Sequence, residues 1–468
     1  MATIDELLHD TLKKFKIDKF KPEQRIIFDA IWSGKDCVGV LPTGFGKSLP
    51  YQVLSLVERK WNGSRTVPSP KIIVCCPLIS LMMDQVGRLR EIPDVSAFYL
   101  GESEESDLLI KEEKFDYLFG SPEHLVGDDS WRNVIKTFNF LLFEILFVSF
   151  RGEDDTGKVF RKWFSHLGEL RSFFPSASIL ALSATCKKSH YKKLNSYKKV
   201  MKTLNMKGDT VIVKVSPNRS NIKIIVHKVI SIENDFLKVV DALQENMMPR
   251  TLIYCSSIKD VSLIYNYLTS EAINTLTFIG MYHSETPSKN KEEILDRLKE
   301  HNSNFVIIAT NALGMGIDIV NCNNVIIYGA PYTVTDFWQQ VGRIGRDGSN
   351  STAILAYNSY HLRSADEDVK MIFKTKSCRR MSAISEFLTK KERKILRNKT
   401  GNHLCCDFCE KSCTCGKCSS TSLEKLFMSN NNDTEDENLT DNSSTISYEY
   451  SDPEYDFSDW EMEELSIY

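Results

Sequence analysis

The segment Leu41-Pro-Thr-Gly-Phe-Gly-Lys-Ser48 has the form of a phosphate-binding loop, and the interpretation of the whole chain starts from it. Its glycines let the backbone curl so that amide N–H groups point at phosphate oxygens. Lys47 can neutralise the outer phosphates, and Ser48 can ligate Mg²⁺. The apolar run Cys37-Val-Gly-Val40 predicts a buried strand before the loop, and a helix is predicted over Leu49 to Glu58. We therefore expect a strand, a loop and a helix that together bind a nucleotide.

The composition is that of two or three soluble domains. The chain has 468 residues, of which 42% are hydrophobic and 26% charged, enough to bury sizeable cores. No run reaches the roughly 18 apolar residues of a membrane span, so no membrane partner is expected. The first residues lack the basic and apolar regions of a secretory signal. Six of the 13 cysteines fall between Cys405 and Cys418, which in such a chain favours metal thiolates over disulfides.

The charge is unevenly distributed along the chain. After Lys425 there is no Lys or Arg, and 13 acidic residues lie between Asp433 and Glu464. Because the whole chain carries −3 and this tail −13, the remainder carries +10. A basic body favours a polyanionic partner, and ordinary solvated surface charge is the alternative.

Alternating strand and helix patterns predict an α/β fold. Apolar runs that end in small or polar residues predict central parallel strands, and they occur at Lys71–Pro77, Tyr117–Pro122, Ile179–Thr185, Arg250–Cys255, Asn304–Thr310 and Asn324–Tyr328. The second group of runs has no phosphate-binding loop of its own. We therefore predict two doubly wound parallel-sheet domains, with ligands at the carboxyl ends of the strands.

Further motifs follow the phosphate-binding loop in a fixed order. Gln24 ends Phe20-Lys-Pro-Glu-Gln24 and lies 22 residues before Gly46. The others are Pro77-Leu-Ile-Ser-Leu-Met-Met-Asp-Gln-Val86, Gly120-Ser-Pro-Glu123, Ser183-Ala-Thr185, Ala309-Thr-Asn-Ala-Leu-Gly-Met-Gly-Ile-Asp318 and Gln339-Gln-Val-Gly-Arg-Ile-Gly-Arg-Asp-Gly348. Together they resemble the RecQ family of superfamily-two DNA helicases over roughly residues 8–420.

The resemblance implies an ATP-dependent DNA helicase that moves 3′ to 5′ and acts in the nucleus in DNA repair, recombination or replication. It implies two RecA-like lobes, a helical zinc-binding subdomain and a disordered acidic tail, which we place at 1–212, 213–365, 366–422 and 423–468. No winged-helix domain is expected after the cysteines, and no nuclease domain before the core.

The family's motifs imply roles for individual residues of this chain. The expected nucleotide-binding residues are Phe20, Gln24, Thr43, Gly44, Gly46, Lys47 and Ser48. The expected DNA contacts are Ser80, Ser121, Thr310 and Gly314. Arg343 and Arg346, three apart on a predicted helix and hence on one face of it, are expected to reach the γ-phosphate as arginine fingers and so to act in catalysis with Lys47.

The cysteines support the same family. Cys378-Arg-Arg380 followed by Cys405-Cys-Asp-Phe-Cys409 resembles the zinc-binding subdomain of RecQ helicases, and the adjacent cysteine pair resembles the Werner-type branch. The predicted Zn²⁺ ligands are Cys378, Cys405, Cys406 and Cys409, since four soft ligands without a redox role favour this ion. Cys413, Cys415 and Cys418 lie outside the family pattern and are spare thiols, a second site or alternative ligands.

The chain departs from the family at the acidic motif that holds Mg²⁺ and activates water. RecQ helicases have Asp-Glu-Ala-His at the end of the fourth strand, an aromatic-rich loop and then a Phe-Arg pair, here Phe160-Arg161. Counting back from that pair places the acidic positions at Val148 and Ser149, and counting along the strand Phe140–Phe150 places them at Ser149 and Phe150. Neither alignment has a carboxylate there, and Thr156 replaces the Trp of the loop.

Three alternatives follow from this departure. In the first, the protein is an active helicase, and Glu153, Asp154 or Asp155, just downstream, supplies the missing acid. Of these three, we expect Glu153 or Asp154 to be the catalytic residue. Otherwise the protein binds ATP and DNA as a scaffold without unwinding, or residues 139–158 are a wrongly joined coding segment. An RNA-remodelling ATPase is a more remote class, which the cysteine pattern disfavours.

The acidic tail alternates acids with apolar residues from Asp452 to Leu465. Such a peptide can fold on binding into a basic groove of a partner. We expect a single-strand-binding protein as the partner; a solvating tail, or a tail that competes with DNA for the protein's own groove, is the alternative.

Overall fold

The computed structural model of the chain describes residues 3–61, 71–77, 79–138, 145–149, 162–184, 196–300, 305–314, 319, 321–399, 403–416, 418 and 421–428. Residues Met1–Phe427 form one compact unit, which contains both β-sheets. Across the described ranges, no helix combines the length and the apolar character that a bilayer crossing requires.

Seven parallel strands form the first sheet, in the order β3-β4-β2-β5-β6-β1-β7. These strands are β1 (Cys37–Val40), β2 (Ile72–Cys75), β3 (Ala97–Tyr99), β4 (Tyr117–Gly120), β5 (Ile145–Ser149), β6 (Ser178–Ser183) and β7 (Val211–Lys214). Successive side chains of a strand point to opposite faces, and here both faces are covered: Cys37 lies in one hydrophobic core and Val38 in the other. This double covering explains the continuous apolar runs in the sequence.

Helices and short helical turns surround the first sheet. The α-helices are α1 (Ile4–Lys14), α2 (Pro22–Trp32), α3 (Leu49–Gln52), α4 (Leu54–Trp61), α5 (Ile79–Arg90), α6 (Glu104–Lys111), α7 (Asp129–Thr137), α8 (Leu170–Phe173) and α9 (Ser196–Thr203). A π-helical turn covers Glu123–Gly127, and a 3₁₀ segment covers Lys162–Glu169. The helix predicted after the phosphate-binding loop is thus divided into α3 and α4, with Val53 between them.

Six parallel strands form the second sheet, in the order β10-β11-β9-β12-β13-β8. These are β8 (Ile222–Lys228), β9 (Thr251–Cys255), β10 (Ile279–Tyr282), β11 (Val306–Ala309), β12 (Asn324–Tyr328) and β13 (Ser351–Tyr357), with helices α10 (Ile232–Gln244), α11 (Ile258–Glu271), α12 (Ser288–Lys299) and α13 (Val334–Val341). The 3₁₀ segments are Ile273–Phe278 and Asn311–Gly314. Leu252 and Ile253 belong to different cores, so this sheet is also covered on both faces. The two sheets confirm the predicted fold class.

Five short helices follow the second sheet and pack on it. They are α14 (Glu367–Lys374), α15 (Arg379–Ile384), α16 (Lys390–Lys399), α17 (Asp407–Lys411) and α18 (Ser422–Met428), with a 3₁₀ turn at Ser385–Phe387. Arg380 of α15 is only 2% exposed and donates hydrogen bonds to the carbonyl oxygens of Arg219 (2.7 Å) and Cys405 (3.1 Å). A buried guanidinium needs such acceptors, so Arg380 joins the cysteine-bearing segment to the start of the second sheet.

Candidate functional site

The phosphate-binding loop begins where β1 ends, beside the carboxyl end of β6. The Leu41 N–H donates to the carbonyl of Ser183 at 2.9 Å, which joins the loop to the predicted motif at Ser183. Gly44 and Gly46 have φ angles of +77° and +81°. Side chains rarely adopt this left-handed conformation, because Cβ would crowd the backbone. The glycines of the motif therefore set the shape of the loop.

Lys47 is partly buried beside the loop. Its Nζ donates to the carbonyl oxygens of Leu41 (3.2 Å) and Pro42 (3.0 Å). Burial, together with the positive charges of Arg343 and Arg346, lowers the pKa of Lys47 from 10.5 to about 7. Ser48 stands at the N-terminus of α3, and its side chain makes no capping hydrogen bond there.

Gln24 binds the loop directly. Its Nε2 donates to the carbonyl oxygens of Phe45 (3.1 Å) and Gly46 (2.8 Å), and its Oε1 accepts from the Lys21 N–H at 2.8 Å. All of these partners belong to the protein, so adenine recognition by Gln24 would require it to exchange them. Phe20 lies 5.7 Å from the ring of Phe28, in the packing of the first lobe. The adenine-binding roles of Phe20 and Gln24 remain predictions.

Arg343 and Arg346 are not on a helix, and the predicted helical placement is wrong. Helix α13 ends at Val341, and Gly342 is its C-cap. Arg343 follows in a turn in which its N–H donates to Gln340 O at 3.2 Å, and Gly345 adopts a φ of +56°. The left-handed conformation of Gly345, which a glycine adopts without steric cost, redirects the chain after the helix.

Both arginines nevertheless face the phosphate-binding loop. A Cβ on Gly44 would lie only 3.2 Å from the Cγ of Arg346, and a Cβ on Gly342 would lie 3.3 Å from the Cβ of Thr43. Arg343 is 7% exposed, and both arginines are close enough to Lys47 to lower its pKa. The turn after α13 therefore packs its cations against the loop of the first lobe.

Lys47, Arg343 and Arg346 meet in a partly buried place, where their positive charges repel one another. Burial contributes most to the lowered pKa of Lys47, and the repulsion from the two arginines adds to it. An anion with several oxygens would relieve this repulsion, and the loop's backbone N–H groups suit phosphate. The chemistry of these donors therefore fits the di- and triphosphate groups of a nucleotide.

The position of the missing acid is defined only as far as the end of β5. Strand β5 lies between β2 and β6 in the sheet, and Ser149 is paired with Leu182. Its last residue is thus next to the Ser183 segment that contacts the loop. The candidates Glu153, Asp154 and Asp155, and the Phe160-Arg161 pair, lie outside the described residues.

The predicted DNA contacts lie at the carboxyl edges of the two sheets. Ser80 is exposed in the first turn of α5, and Ser121 directly follows β4, where its Oγ accepts from the His124 N–H at 3.3 Å. Strands β2 and β4 are neighbours, so both serines lie at one edge. In the second lobe, Thr310 follows β11, and Gly314 ends the adjoining 3₁₀ segment. The DNA contacts of Ser80, Ser121, Thr310 and Gly314 remain predictions.

The four predicted zinc ligands come together. The ligand atoms of Cys378, Cys405, Cys406 and Cys409 all lie within 4.8 Å of one another, and the Sγ atoms of Cys378 and Cys405 are 3.5 Å apart. Hydrogen bonds from Cys378 and then Cys405 lower the pKa of the Cys406 thiol. Four crowded sulfurs, three of them buried, fit a tetrahedral thiolate metal site.

One pair of positioning residues was not predicted. Gln340 Nε2 donates to Asn311 Oδ1 at 2.6 Å, which ties the turn after α13 to the segment after β11. Both residues lie inside quoted motifs, and a buried amide within a motif is the signal that could have identified them.

Comparison with known proteins places these features in a wider group. A DEAD/DEAH box helicase family model matches residues 21–194, and a helicase conserved C-terminal domain model matches residues 234–348. The chain is 30% identical over 355 residues to the probable ATP-dependent DNA helicase RecS of Bacillus subtilis, covering 74% of this chain and 66% of that protein. It is 29% identical over 427 residues to the mouse bifunctional 3′-5′ exonuclease/ATP-dependent helicase WRN, covering 84% of this chain and 28% of that protein.

The fold has solved counterparts. The helicase MrfA bound to DNA superposes with a TM-score of 0.60 at 19% identity, covering 77% of this chain and 52% of that chain. At this identity the likeness concerns the fold. The chain spans no more than 66% of the length of RecS and 28% of that of WRN.

Proposed function

Because the chain belongs to the RecQ-type branch of the DEAD/DEAH box helicases, we propose that it is an ATP-dependent DNA helicase that moves 3′ to 5′. Its relatives carry names of DNA helicases, among them RecS and WRN. The proposed setting is DNA repair, recombination or replication, in the nucleus. The division into lobes at 1–212 and 213–365, a zinc subdomain at 366–422 and a tail at 423–468 belongs to the same proposal. Strand β7 of the first sheet extends past the first boundary to Lys214, and α18 places residues up to Met428 of the tail in a helix.

One observation carries this proposal. The partly buried Lys47 of the first lobe and the arginines of the turn after α13 meet at the phosphate-binding loop. A site built from two lobes can couple a change at the nucleotide to a movement of one lobe against the other. Such coupling is what a translocating motor needs and what a simple binding module does not.

The proposed cofactors are ATP and Mg²⁺. Lys47 would neutralise the outer phosphates, Ser48 would hold the ion, and Thr43, Gly44 and Gly46 would shape the cradle. When bound, Mg²⁺ offsets the charge of the phosphates during transfer.

Arg343 and Arg346 would supply positive charge to the γ-phosphate from the second lobe. A water-activating base is still required, and Glu153 or Asp154 is our candidate for it. Loss of a positioned base costs about 10²–10⁴-fold in rate, so the identity of this acid decides whether the protein is an active motor or a scaffold.

Zn²⁺ is the proposed ion at Cys378, Cys405, Cys406 and Cys409. The role is structural, because four protein ligands leave no open position for a substrate. Arg380 links this cluster to the second sheet, so zinc there would stabilise the second lobe.

DNA is the proposed partner of the carboxyl edges of both sheets. Ser80 and Ser121 would bind backbone phosphates on the first lobe, and Thr310 and Gly314 on the second. The net charge of +10 outside the tail suits a polyanion.

Strand separation tests the proposed activity. We expect ATP-dependent unwinding of a duplex with a 3′ single-stranded tail, and little unwinding of the same duplex with a 5′ tail or of an RNA duplex. Lys47→Ala is the matched control and should abolish unwinding. ATP-independent binding to forked DNA without unwinding would instead support the scaffold.

A single-strand-binding protein is the proposed partner of the acidic tail. The alternation of acids and apolar residues between Asp452 and Leu465 suits a basic groove. A peptide of residues 448–468 should bind such a protein in a salt-dependent way, and a scrambled peptide should not. Equal binding of the two peptides would count against the idea.

A further inference from the structure

A second cluster of metal-binding side chains lies outside the family's zinc pattern. The ligand atoms of His403, Cys413, Cys415 and Cys418 all lie within 4.8 Å of one another, and none of them belongs to the first cluster. His403 Nδ1 lies 3.1 Å from Cys415 Sγ and 3.6 Å from Cys413 Sγ. The Sγ atoms of Cys415 and Cys418 are 3.6 Å apart.

Two of these three spacings match those of a tetrahedral site, and the third, 3.1 Å, is slightly shorter. Zinc binds sulfur at about 2.3 Å and imidazole nitrogen at about 2.0 Å, so neighbouring ligand atoms lie roughly 3.5–3.8 Å apart. The sulfurs of Cys378 and Cys405 in the first cluster, 3.5 Å apart, show the same spacing. We propose that His403, Cys413, Cys415 and Cys418 bind a second Zn²⁺.

The donor set favours zinc over the alternatives. Thiolate and imidazole are soft or borderline ligands, which select zinc over Mg²⁺ or Ca²⁺. A disulfide would use two of the three sulfurs and leave the third, together with the imidazole, without a common role; no cysteine of the described ranges is disulfide-bonded. On binding, three thiols release their protons to solvent, and His403 coordinates through neutral Nδ1. Four protein ligands fill the site, so its role is structural.

The position of the cluster indicates what the metal would hold. The ligands lie on both sides of α17 and precede α18, and each of these helices sends a carboxylate to Lys223 of β8. The Lys223 Nζ lies 2.9 Å from Glu410 of α17 and also pairs with Glu424 of α18. A metal ion bound by these four residues would cross-link the segment that connects α17 and α18.

Helix α18 needs such support. It has seven residues, too few to be stable alone in water. Leu423 and Phe427 are nonetheless buried against the second sheet, and Thr421 Oγ1 contacts Thr352 Oγ1 at 3.0 Å. The second metal would therefore act as a clamp that fixes α18 on the second lobe, where the acidic tail begins.

Zinc stoichiometry of the full chain tests the proposal. The protein is purified under reducing conditions without chelator, and its zinc content is measured by inductively coupled plasma mass spectrometry. We expect two zinc ions per chain, and one in the double variant Cys415→Ser/Cys418→Ser. Thr414→Ala, exposed between two of the ligands, is the matched control and should keep both. One zinc in the unaltered chain, or two in the double variant, would overturn the proposal.

Two further measurements distinguish a specific site from a loss of folding. His403→Cys keeps four soft ligands and should retain two zinc ions, whereas His403→Ala should retain one. Hydrogen exchange of amides 421–428 should speed up in the double variant, while exchange in β12 stays unchanged. Retention of both zinc ions by His403→Ala would refute the second site. So would a disulfide between Cys415 and Cys418 in protein purified under reducing conditions, which intact-mass measurement detects as a loss of two hydrogens.

Discussion

Binding of ATP should take up a proton, and Lys47 is the reason. In the protein without nucleotide, burial and the two arginines lower the pKa of Lys47 to about 7. Phosphates beside the ammonium favour its charged form and return the pKa towards its ordinary value of 10.5. At pH 8 the free protein is then only about one tenth protonated at Lys47, whereas the complex is fully protonated, so binding takes up about 0.9 proton.

The sign of this linkage fixes the pH dependence. Below pH 7 the free lysine is already charged, and uptake falls to about 0.1 proton at pH 6. Between pH 8 and pH 9 the affinity for Mg-ATP should fall by roughly tenfold, because each nucleotide must bring one proton with it.

Isothermal titration calorimetry measures the uptake directly. Mg-ATP is titrated at pH 8 in two buffers of different ionisation enthalpy, and the difference in heat gives the number of protons. Lys47→Arg is the matched control, since a guanidinium stays charged at this pH, and it should bind without uptake. Equal heats in the two buffers for the unaltered protein would show that binding takes up no proton. That result would refute a lysine whose pKa is lowered by burial and by the two arginines.

Two substitutions test the phosphate-binding loop and the ion pair that joins α18 to β8. Gly46→Ala places a Cβ about 2.7 Å from Gln24 Nε2 at a φ of +81° and should weaken Mg-ATP binding by about tenfold or more. The control is Gly34→Ala, which has a φ of +76° and open space around it; it carries similar backbone strain and should leave Mg-ATP binding unchanged. Equal losses of affinity in the two variants would contradict the role of Gly46 in the phosphate-binding loop. Lys223→Met leaves the fully buried Glu424 without its ion-pair partner and should lower the free energy of unfolding in urea by about 3–5 kcal/mol; adding Glu424→Gln should recover part of the loss, and no recovery would contradict the pairing.

Most of the central strands could be predicted from their continuous apolar runs, whereas β8 and β13 were not predicted. Four of these strands are buried along their whole length: β1, β2, β9 and β12. Because both faces of each strand are buried, successive residues are apolar, and this run is visible in the sequence. Strand β8 was missed because it carries Lys223 and His227. Their partners Glu424 and Asp235 come from elsewhere in the chain, and a local pattern does not contain them.

The phosphate-binding loop was predictable because it is local, and the family resemblance also predicted that Arg343 and Arg346 approach it from the second lobe. The backbone conformation that carries the arginines, and the side-chain contacts around the loop, were not predictable. The RecQ resemblance is confirmed by the family models and the relatives. Yet the helix expected under Arg343 and Arg346 ends at Val341, and the turn that follows it carries both cations to the loop. Likewise, no pattern near Gln24 predicts that its amide binds the carbonyls of Phe45 and Gly46.

The central claim is that the phosphate-binding loop and the two arginines form the ATP-hydrolysing site of a motor that DNA stimulates. Its most direct test is steady-state ATP hydrolysis with and without single-stranded DNA, by the unaltered protein, Lys47→Ala and Arg343→Ala. We predict that single-stranded DNA stimulates ATP hydrolysis by the unaltered protein and that both substitutions abolish this stimulation. If Glu153 or Asp154 is the base, Glu153→Gln or Asp154→Asn should lower the stimulated rate of hydrolysis by about 10²–10⁴-fold. Tight DNA binding without turnover that depends on Lys47 would contradict the central claim.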